Sequence, residues 1–230
     1  HALGNKRVRP HAETVVVDLT EDWQLIQRGF SKGHRYDIRK TEKNGVRVQN
    51  DTAFNQYDRF VELYYETMKR TGAHADYYFN RDYFDQMRQI LAPYLKLFVA
   101  EYQGQVISAS LFLTSDYITQ YHLSGSASDS LRLGGAKLIL KQAMQESQAR
   151  GVKWFHFGGG VSSKAGSVMR FKAGFSEKRL VFKTINFIID TEKYEQFSSL
   201  ALSWEESNGL VADHPDFFPI YRRPVRSMNI

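Results

Sequence analysis

The stretch from Trp154 to Phe175 places the strongest constraint on the fold, because a run of glycines follows directly on an aromatic strand pattern. Residues 154–157 are half apolar and aromatic, which is typical of a buried strand. Three glycines come next: Gly158, Gly159 and Gly160. Glycines at a strand end let the backbone turn sharply and let another group approach closely. The helical pattern beyond them contains Phe171 and Lys172. The stretch predicts either a glycine corner with a lysine beside it or a plain strand-to-helix turn with Lys172 in solvent.

The hydrophobic period around this stretch changes from 2 to 3.6 and back. Three strand-like runs, 95–102, 106–114 and 118–124, are followed by a helical run 134–150, a strand 152–157, the Lys172 helix and a strand 178–189. This order predicts an α+β fold with a mixed, largely antiparallel sheet flanked by helices and one βαβ crossover.

In the N-terminal half and the tail, the sequence patterns that predict helices and strands are weaker. We expect a strand at 13–19, helices at 21–28 and 31–43, a strand at 46–49, a helix from Thr52 to Gly72, a helix at 82–91 and a last helix from Thr191. Residues 1–12 lack a periodic pattern. The proline-containing tail from Asp213 is expected to be extended.

The positive charge is distributed unevenly, and many basic residues lie in one short segment, residues 28–47. Its basic residues are Arg28, Lys32, Arg35, Arg39, Lys40, Lys43 and Arg47, and they are opposed by Asp37 and Glu42. Arg35 and Arg39 are four residues apart, so a helix places them on one face, and arginine suits bidentate contacts with phosphate. The segment predicts either a solvated helix face or a surface that binds phosphate.

Two motifs resemble the FemAB-like peptidyltransferases, a family related to the GNAT acyltransferases. The family has an acidic residue, an aromatic residue and two glycines at a corner, then a helix that ends in Phe-Lys-x-x-Phe. Residues 157–159 match the corner and residues 171–175 match the helix end, whereas His156 stands where the family usually has an acid. Residues 35–46 resemble the family segment Arg-x-x-Ile-Arg-Lys-Ala-x-x-x-Gly-Val. The matches span roughly residues 14–190.

The resemblance implies a GNAT-like fold, in which acyl donor and acceptor meet where two strands splay apart, here near 121–124 and 155–157. It implies transfer of an aminoacyl group from aminoacyl-tRNA to an amine of a peptidoglycan precursor, without a cofactor, metal or covalent nucleophile. Lys172 would stabilise the oxyanion or leaving group, with Phe171 packed against it. The substrate-binding residues would be Arg35, Arg39, Lys40, Tyr121, His122, Gly158, Gly159 and Gly160.

Two other functions stay open. Gly134, Gly135 and Ala136 open a helix, and free amides there can cradle the pyrophosphate of coenzyme A, which would make the chain a coenzyme A-dependent N-acyltransferase. The GNAT pattern Gln/Arg-x-x-Gly-x-Gly/Ala is incomplete, because Leu131 or Lys137 departs from it in either alignment. Alternatively, His156 breaks the corner motif and one half of the usual pair of units is missing, which favours a non-catalytic module that binds an anionic partner.

Composition narrows the class of protein. The chain has 230 residues, a net charge of +6 and no cysteine, so a disulfide framework, a zinc-thiolate site and a cysteine nucleophile are excluded. The seven histidines show no metal-ligand spacing. No membrane span or signal peptide is visible, so we expect a cytoplasmic protein that contacts a membrane at most through a lipid-linked substrate. The expected parts are a remnant of a first unit with the basic helix (1–50), the acyltransferase domain (51–192) and a C-terminal helix with tail (193–230).

Overall fold

The computed structural model describes residues 7–158 and 166–227, except for the side chains of residues 7 and 11. The chain forms two compact units, one of Ala12–Phe182 and one of His1–His11 with Lys183–Ile230. The unit borders differ in position from the expected borders after residues 50 and 192, and the division into functional parts stays a prediction.

Seven helices and nine strands occur in the described part of the chain. The helices are α1 (Trp23–Arg28), α2 (Lys32–Lys43), α3 (Tyr57–Thr71), α4 (Arg81–Leu91), α5 (Gly135–Ala149), α6 (Ser167–Ala173) and α7 (Thr191–Ser207). The strands are β1 (Arg7–Asp18), β2 (Arg47–Asn50), β3 (Leu95–Tyr102), β4 (Gln105–Thr114), β5 (Ile118–Ser126), β6 (Trp154–His156), β7 (Arg179–Asn186), β8 (Leu210–Ala212) and β9 (Val225–Ser227). Short 3₁₀ turns lie at Ala75–Tyr77, Leu131–Leu133 and Ile220–Arg222.

The larger sheet has seven strands in the order β2-β3-β4-β5-β6-β1-β7. Strands β2 to β5 pair antiparallel, as do β6 and β1, whereas β5 and β6 pair parallel. A parallel pair needs a crossover, and α5 provides it. The predicted α+β fold with one βαβ crossover is therefore confirmed.

Each face of this sheet carries its own apolar core. On one face α5 packs over β3 and β4, and buried residues such as Phe112, Met144 and Phe155 form a single cluster. On the other face α3 packs over β4 and β5, with Phe60 and Tyr64 in a second cluster. Burying a side chain of this size stabilises a fold by about 1.5–3 kcal/mol, so both clusters hold the sheet between helices.

A glycine sets the distance between α3 and the sheet. A Cβ built on Gly125 of β5 would lie 2.3 Å from the carbonyl carbon of Leu63 and 2.4 Å from the amide nitrogen of Tyr64. Atoms cannot approach so closely, so only glycine permits this packing of helix on strand.

Several predicted ends of elements are wrong. Helix α1 begins after Asp22, whose carboxylate accepts a hydrogen bond from the Gln24 amide, and not after Thr20. Helix α3 begins at Tyr57, five residues after the predicted Thr52. Strand β1 already begins at residue 7, within the part predicted to lack a pattern.

In the unit that contains α7, the C-terminal tail packs back on the preceding elements through a strand pair and an ion pair. Strands β8 and β9 pair antiparallel, and the 3₁₀ turn at Ile220–Arg222 interrupts the tail, so the tail is extended only in part. The guanidinium of Arg223 binds the carboxylate of Glu205 in α7 through Nε, at 2.9 Å. Both side chains are largely shielded from solvent. This ion pair joins the tail to α7.

Candidate active site

The pairing of the parallel strands β5 and β6 is short. They are paired at Ile118↔Trp154, Thr119↔Phe155 and Gln120↔His156. Strand β6 ends there, whereas β5 continues to Ser126. The strands therefore diverge at Tyr121, within the region where the sequence predicts the splay.

A bulge lies in β5 directly after the residues that pair with β6. The register of β4 and β5 shifts between Leu111 and Phe112, so that His122 has no partner on β4. The hydroxyl of Tyr121 donates to Ser124 Oγ at 2.6 Å. Burial raises the pKa of Tyr121, so its hydroxyl is a hydrogen-bond donor at neutral pH.

His122 contacts α4. Its Nε2 lies 3.3 Å from the hydroxyl of Tyr83, whose ring stacks on Phe79. Burial lowers the pKa of His122 and raises that of Tyr83, so both groups are uncharged at neutral pH. The predicted substrate residue His122 thus sits in a neutral pair with Tyr83 of α4.

Gly158 forms the corner that follows β6. Its φ is +74°, a left-handed conformation that glycine adopts without strain. A Cβ built on it would lie 3.3 Å from Gln120 Nε2, 3.6 Å from the Tyr121 carbonyl oxygen and 3.8 Å from Lys172 Nζ. The other two corner glycines, Gly159 and Gly160, lie outside the described residues.

Lys172 is buried, with 7% of its surface exposed, although it lies on a short helix. The alternative of a solvated Lys172 is therefore wrong. Burial lowers the pKa of the ammonium to about 8. The structure thus brings Lys172, Gly158 and Tyr121 together where the two strands diverge, and a strongly perturbed amine in such a place is typical of a functional site.

Helix α6 is fixed by a histidine that the sequence did not single out. His34 Nε2 donates to the carbonyl oxygen of Phe171 at 2.9 Å, and its ring lies edge-on to Phe175 at 4.6 Å. The Ser31 amide donates to the carbonyl oxygen of Gly174 at 2.8 Å. A Cβ on Gly174 would lie 2.3 Å from His34 Cε1. The backbone on both sides of Lys172 is therefore bound to α2.

The predicted phosphate-binding residues lie on α2, outside the cluster around Lys172. Arg35 is half-buried, and its Nη1 donates to the carbonyl oxygens of Arg28, at 2.7 Å, and Phe30. These bonds brace the corner between α1 and α2. Arg35 and Arg39 also line one cavity of about 320 Å³. Arg39 and Lys40 are exposed.

The two acids of α2 are paired with lysines of α5. Asp37 binds Lys137, and Glu42 binds Lys141 at 2.5 Å. Because both acids are neutralised by lysines of α5, the exposed basic side chains of α2 make its outer surface positively charged.

The glycines at the start of α5 have close neighbours. Gly134 has a φ of +73°, and a Cβ on it would lie 2.5 Å from Thr41 Oγ1. A Cβ on Gly135 would lie 2.9 Å from Ser108 Oγ. Helix α5 begins at Gly135 and continues through Ala136. Close packing on α2 and β4 thus explains both glycines.

Among the described residues, no group of three or more histidine, aspartate or glutamate side chains could hold a metal ion. Within residues 7–158 and 166–227, no helix is both long and apolar enough to cross a bilayer.

Residues 28–172 match the family described as Acetyltransferase (GNAT) domain, which is more than half of the chain. The chain belongs to this family. The protein is therefore an acyltransferase, and the non-catalytic alternative is not supported. None of the curated proteins matches the sequence.

Solved structures show the same fold. The crystal structure of FemX superposes with a TM-score of 0.67 and 12% identity, over 80% of this chain and 63% of that chain. The C-terminal DUF2156 domain of an Agrobacterium fabrum protein that is described as a lysylphosphatidylglycerol synthetase superposes with a TM-score of 0.56 and 12% identity. The match covers 86% of this chain and 66% of that chain. L-PGS from Bacillus licheniformis superposes with a TM-score of 0.52 and 12% identity, over 80% of this chain and 62% of that chain. The chain spans less than two thirds of each of these structures. The resemblance to a FemAB-like, GNAT-related fold is confirmed.

Proposed function

We propose that this acyltransferase moves an aminoacyl group from aminoacyl-tRNA to an amine of a peptidoglycan precursor. The observation that carries the proposal is the buried Lys172, whose Nζ lies over Gly158 where β5 and β6 diverge. In GNAT-like folds this divergence is where donor and acceptor meet. The likeness to FemX supports the aminoacyl version of the reaction, and L-PGS is a second neighbour in fold.

The main need of this reaction is an acid that acts on the ester, because the attacking amine is itself the nucleophile. The acceptor amine attacks the ester carbonyl carbon, the carbonyl oxygen becomes an oxyanion, and the ester C–O bond then breaks. The leaving ribose hydroxyl must gain the proton that the amine loses. With a pKa of about 8, Lys172 is protonated in roughly ten of eleven molecules at pH 7. In this role it stabilises the oxyanion, gives its proton to the leaving ribose oxygen as the C–O bond breaks, and regains a proton from the attacking amine.

Helix α2 suits the phosphates of such substrates. Its acids Asp37 and Glu42 are held by lysines of α5, while Arg39 and Lys40 are exposed. Exposed cations on one helix attract a polyanion in a salt-dependent way. Arg35 acts in this proposal mainly as a brace for the helix, since its Nη1 is bound to two carbonyl oxygens.

The substrates also imply a location. Aminoacyl-tRNA is a cytoplasmic molecule, so we place the reaction in the cytoplasm. If the precursor is lipid-linked, the protein works at a membrane surface.

A coenzyme A thioester is the second candidate donor, because the matching family is described as an acetyltransferase. Its pyrophosphate would be held at the amides of Gly134, Gly135 and Ala136, at the start of α5. The close contacts of both glycines offer another explanation for them, so we rank this donor second.

Two measurements test the proposal and separate the donors. Radiolabelled aminoacyl-tRNA is incubated with an amine-bearing muropeptide precursor, and acetyl-coenzyme A is titrated by calorimetry. We expect label to reach the precursor with wild type and to be lost with Lys172→Met, whereas Lys193→Met, which removes an exposed lysine, should transfer normally. Binding of acetyl-coenzyme A together with no transfer from any aminoacyl-tRNA would replace the first donor by the second.

A further inference from the structure

The imidazole of His156 is held by hydrogen bonds on both ring nitrogens. The Gly158 amide lies 3.1 Å from Nδ1, and Thr14 Oγ1 lies 3.0 Å from Nε2. An amide N–H can only donate, so Nδ1 must be the acceptor. The hydroxyl of Thr14 donates to the carbonyl oxygen of Leu180 at 3.3 Å, so it accepts from Nε2. The contacts therefore assign the neutral ring with its proton on Nε2.

The bond from Gly158 to Nδ1 closes a turn over two residues. Its shape is that of an Asx-turn, in which a side-chain acceptor binds the backbone amide two residues further on. The bond is made at the residue where φ is +74° and where Lys172 Nζ lies 3.8 Å from a built Cβ. A hydrogen bond that fixes the Gly158 amide therefore also fixes the backbone next to the Lys172 ammonium.

We propose that His156 is a positioning residue for the transfer reaction. Nδ1 holds the Gly158 amide, and through it the corner that faces Lys172, while Thr14 holds the ring from the other side. An aspartate or asparagine could make the same bond through Oδ1. The histidine at this position therefore replaces the acid as a hydrogen-bond acceptor, without bringing a negative charge next to Lys172. This inference rests on the proposed function for its kinetic consequences, though not for its geometry.

Two substitutions separate the two ends of the ring. Asparagine places Oδ1 close to the position of Nδ1, so His156→Asn keeps an acceptor for the Gly158 amide and loses the bond to Thr14. Glutamine places its amide nitrogen close to Nε2, so His156→Gln keeps a donor for Thr14 and loses the acceptor. His156→Leu removes both. Thr14→Val is the matched control, because it removes the partner of Nε2 alone.

The proposal predicts an order of turnover numbers. His156→Asn should stay within about threefold of wild type, whereas His156→Gln and His156→Leu should fall by about tenfold, which corresponds to the loss of one hydrogen bond of about 1.4 kcal/mol. KM should change little in each case. Equal turnover of the asparagine and glutamine variants, or a leucine variant as fast as wild type, would overturn it. If His156→Leu does not fold, the asparagine and glutamine pair still decides.

A spectroscopic measurement keeps this inference separate from the choice of substrate. In wild type labelled with ¹⁵N-histidine, long-range ¹H–¹⁵N correlation should show His156 as the Nε2–H tautomer near neutral pH. The Gly158 amide should be slow to exchange in His156→Asn and fast in His156→Gln. An Nδ1–H tautomer, or fast exchange in wild type, would refute the role of His156 even in an active enzyme. Absence of transfer from every donor, with these spectra as expected, would instead refute the proposed function.

Discussion

Replacing Lys172 with methionine should make the protein more stable while making it less active. The lysine is 7% exposed, and burial lowers its pKa from 10.5 to about 8. One pKa unit corresponds to about 1.36 kcal/mol, so keeping the protonated amine inside the fold at neutral pH costs about 3 kcal/mol. Methionine fills the same stem without a charge. We therefore expect a gain of up to about 3 kcal/mol in the free energy of unfolding, less the contacts that the ammonium makes.

The pH dependence of this gain has a defined sign. The pKa of Lys172 is lower in the folded than in the unfolded state, so the unfolded state binds more protons between about pH 8 and pH 10.5. The free energy of unfolding of wild type should therefore rise with pH across this window. Lys172→Met has no proton to lose there. Its advantage should be full below about pH 8 and should disappear towards pH 10.5.

Urea unfolding at about pH 7 and about pH 10, with aminoacyl transfer measured in parallel, checks both effects. Turnover should fall by roughly 10²–10³, the usual loss for one donor to an oxyanion, with KM similar. The control is Lys193→Met, because the side chain of Lys193 is 72% exposed and should affect neither quantity. A Lys172→Met protein that is less stable than wild type at neutral pH and retains its turnover would refute the reasoning.

Three further changes test the surface and the packing. Arg39→Glu should weaken tRNA binding and make it less dependent on salt in filter-binding titrations, whereas unchanged binding would mean a solvated face. Gly125→Ala should lower the free energy of unfolding by about 3 kcal/mol or more, because its Cβ would overlap the backbone of α3; Gly33→Ala, with open space around it, should be near neutral. Gly174→Ala should also destabilise, and adding His34→Ala should restore part of the loss, since the new Cβ collides with that ring. Strictly additive losses would contradict this contact.

Local patterns in the sequence were sufficient for the elements that build the sheet. Successive side chains of β3 and β4 point into the two cores in turn, which gives these strands their period of 2. The short connections between β3, β4 and β5 make them antiparallel neighbours. Ser31 caps α2 and Gly72 ends α3 in the left-handed conformation, both as the residue types predict. These signals lie within a few residues of what they control.

Contacts between distant residues could not be predicted in the same way. His34 binds a carbonyl 137 positions away, and Thr14 binds a ring 142 positions away. Neither residue stands out in its own segment. Arg35 shows the converse, since its spacing to Arg39 predicts a shared face but says nothing of the two carbonyl oxygens that bind its guanidinium. The burial of Lys172 likewise depends on how α6 packs, which the sequence around it does not give.

The charges of Lys172 and His156 affect each other, and this link can be measured. Burial lowers the pKa of His156, and the positive charge of Lys172 lowers it further. Among the described residues, Lys172 of α6 supplies the charge that acts on this ring, whereas β1 and β5 present the uncharged Thr14 and Gln120. Lys172→Met should therefore raise the pKa of His156 towards its ordinary value, while Lys172→Arg should leave it low.

Activity should follow the same two groups. Transfer needs a neutral His156 to hold Gly158 and a protonated Lys172 to meet the oxyanion. Turnover should thus fall below the lowered pKa of His156, as the ring gains a proton on Nδ1, and fall again above about pH 8, as the lysine loses its own. His156→Asn should abolish the acidic limb and keep the basic one. The profile is measured as kcat against pH, and the pKa of the ring by NMR in the absence of substrate. A His156 pKa that is the same in wild type and Lys172→Met would show that the two groups do not interact, and the acidic limb would then need another cause.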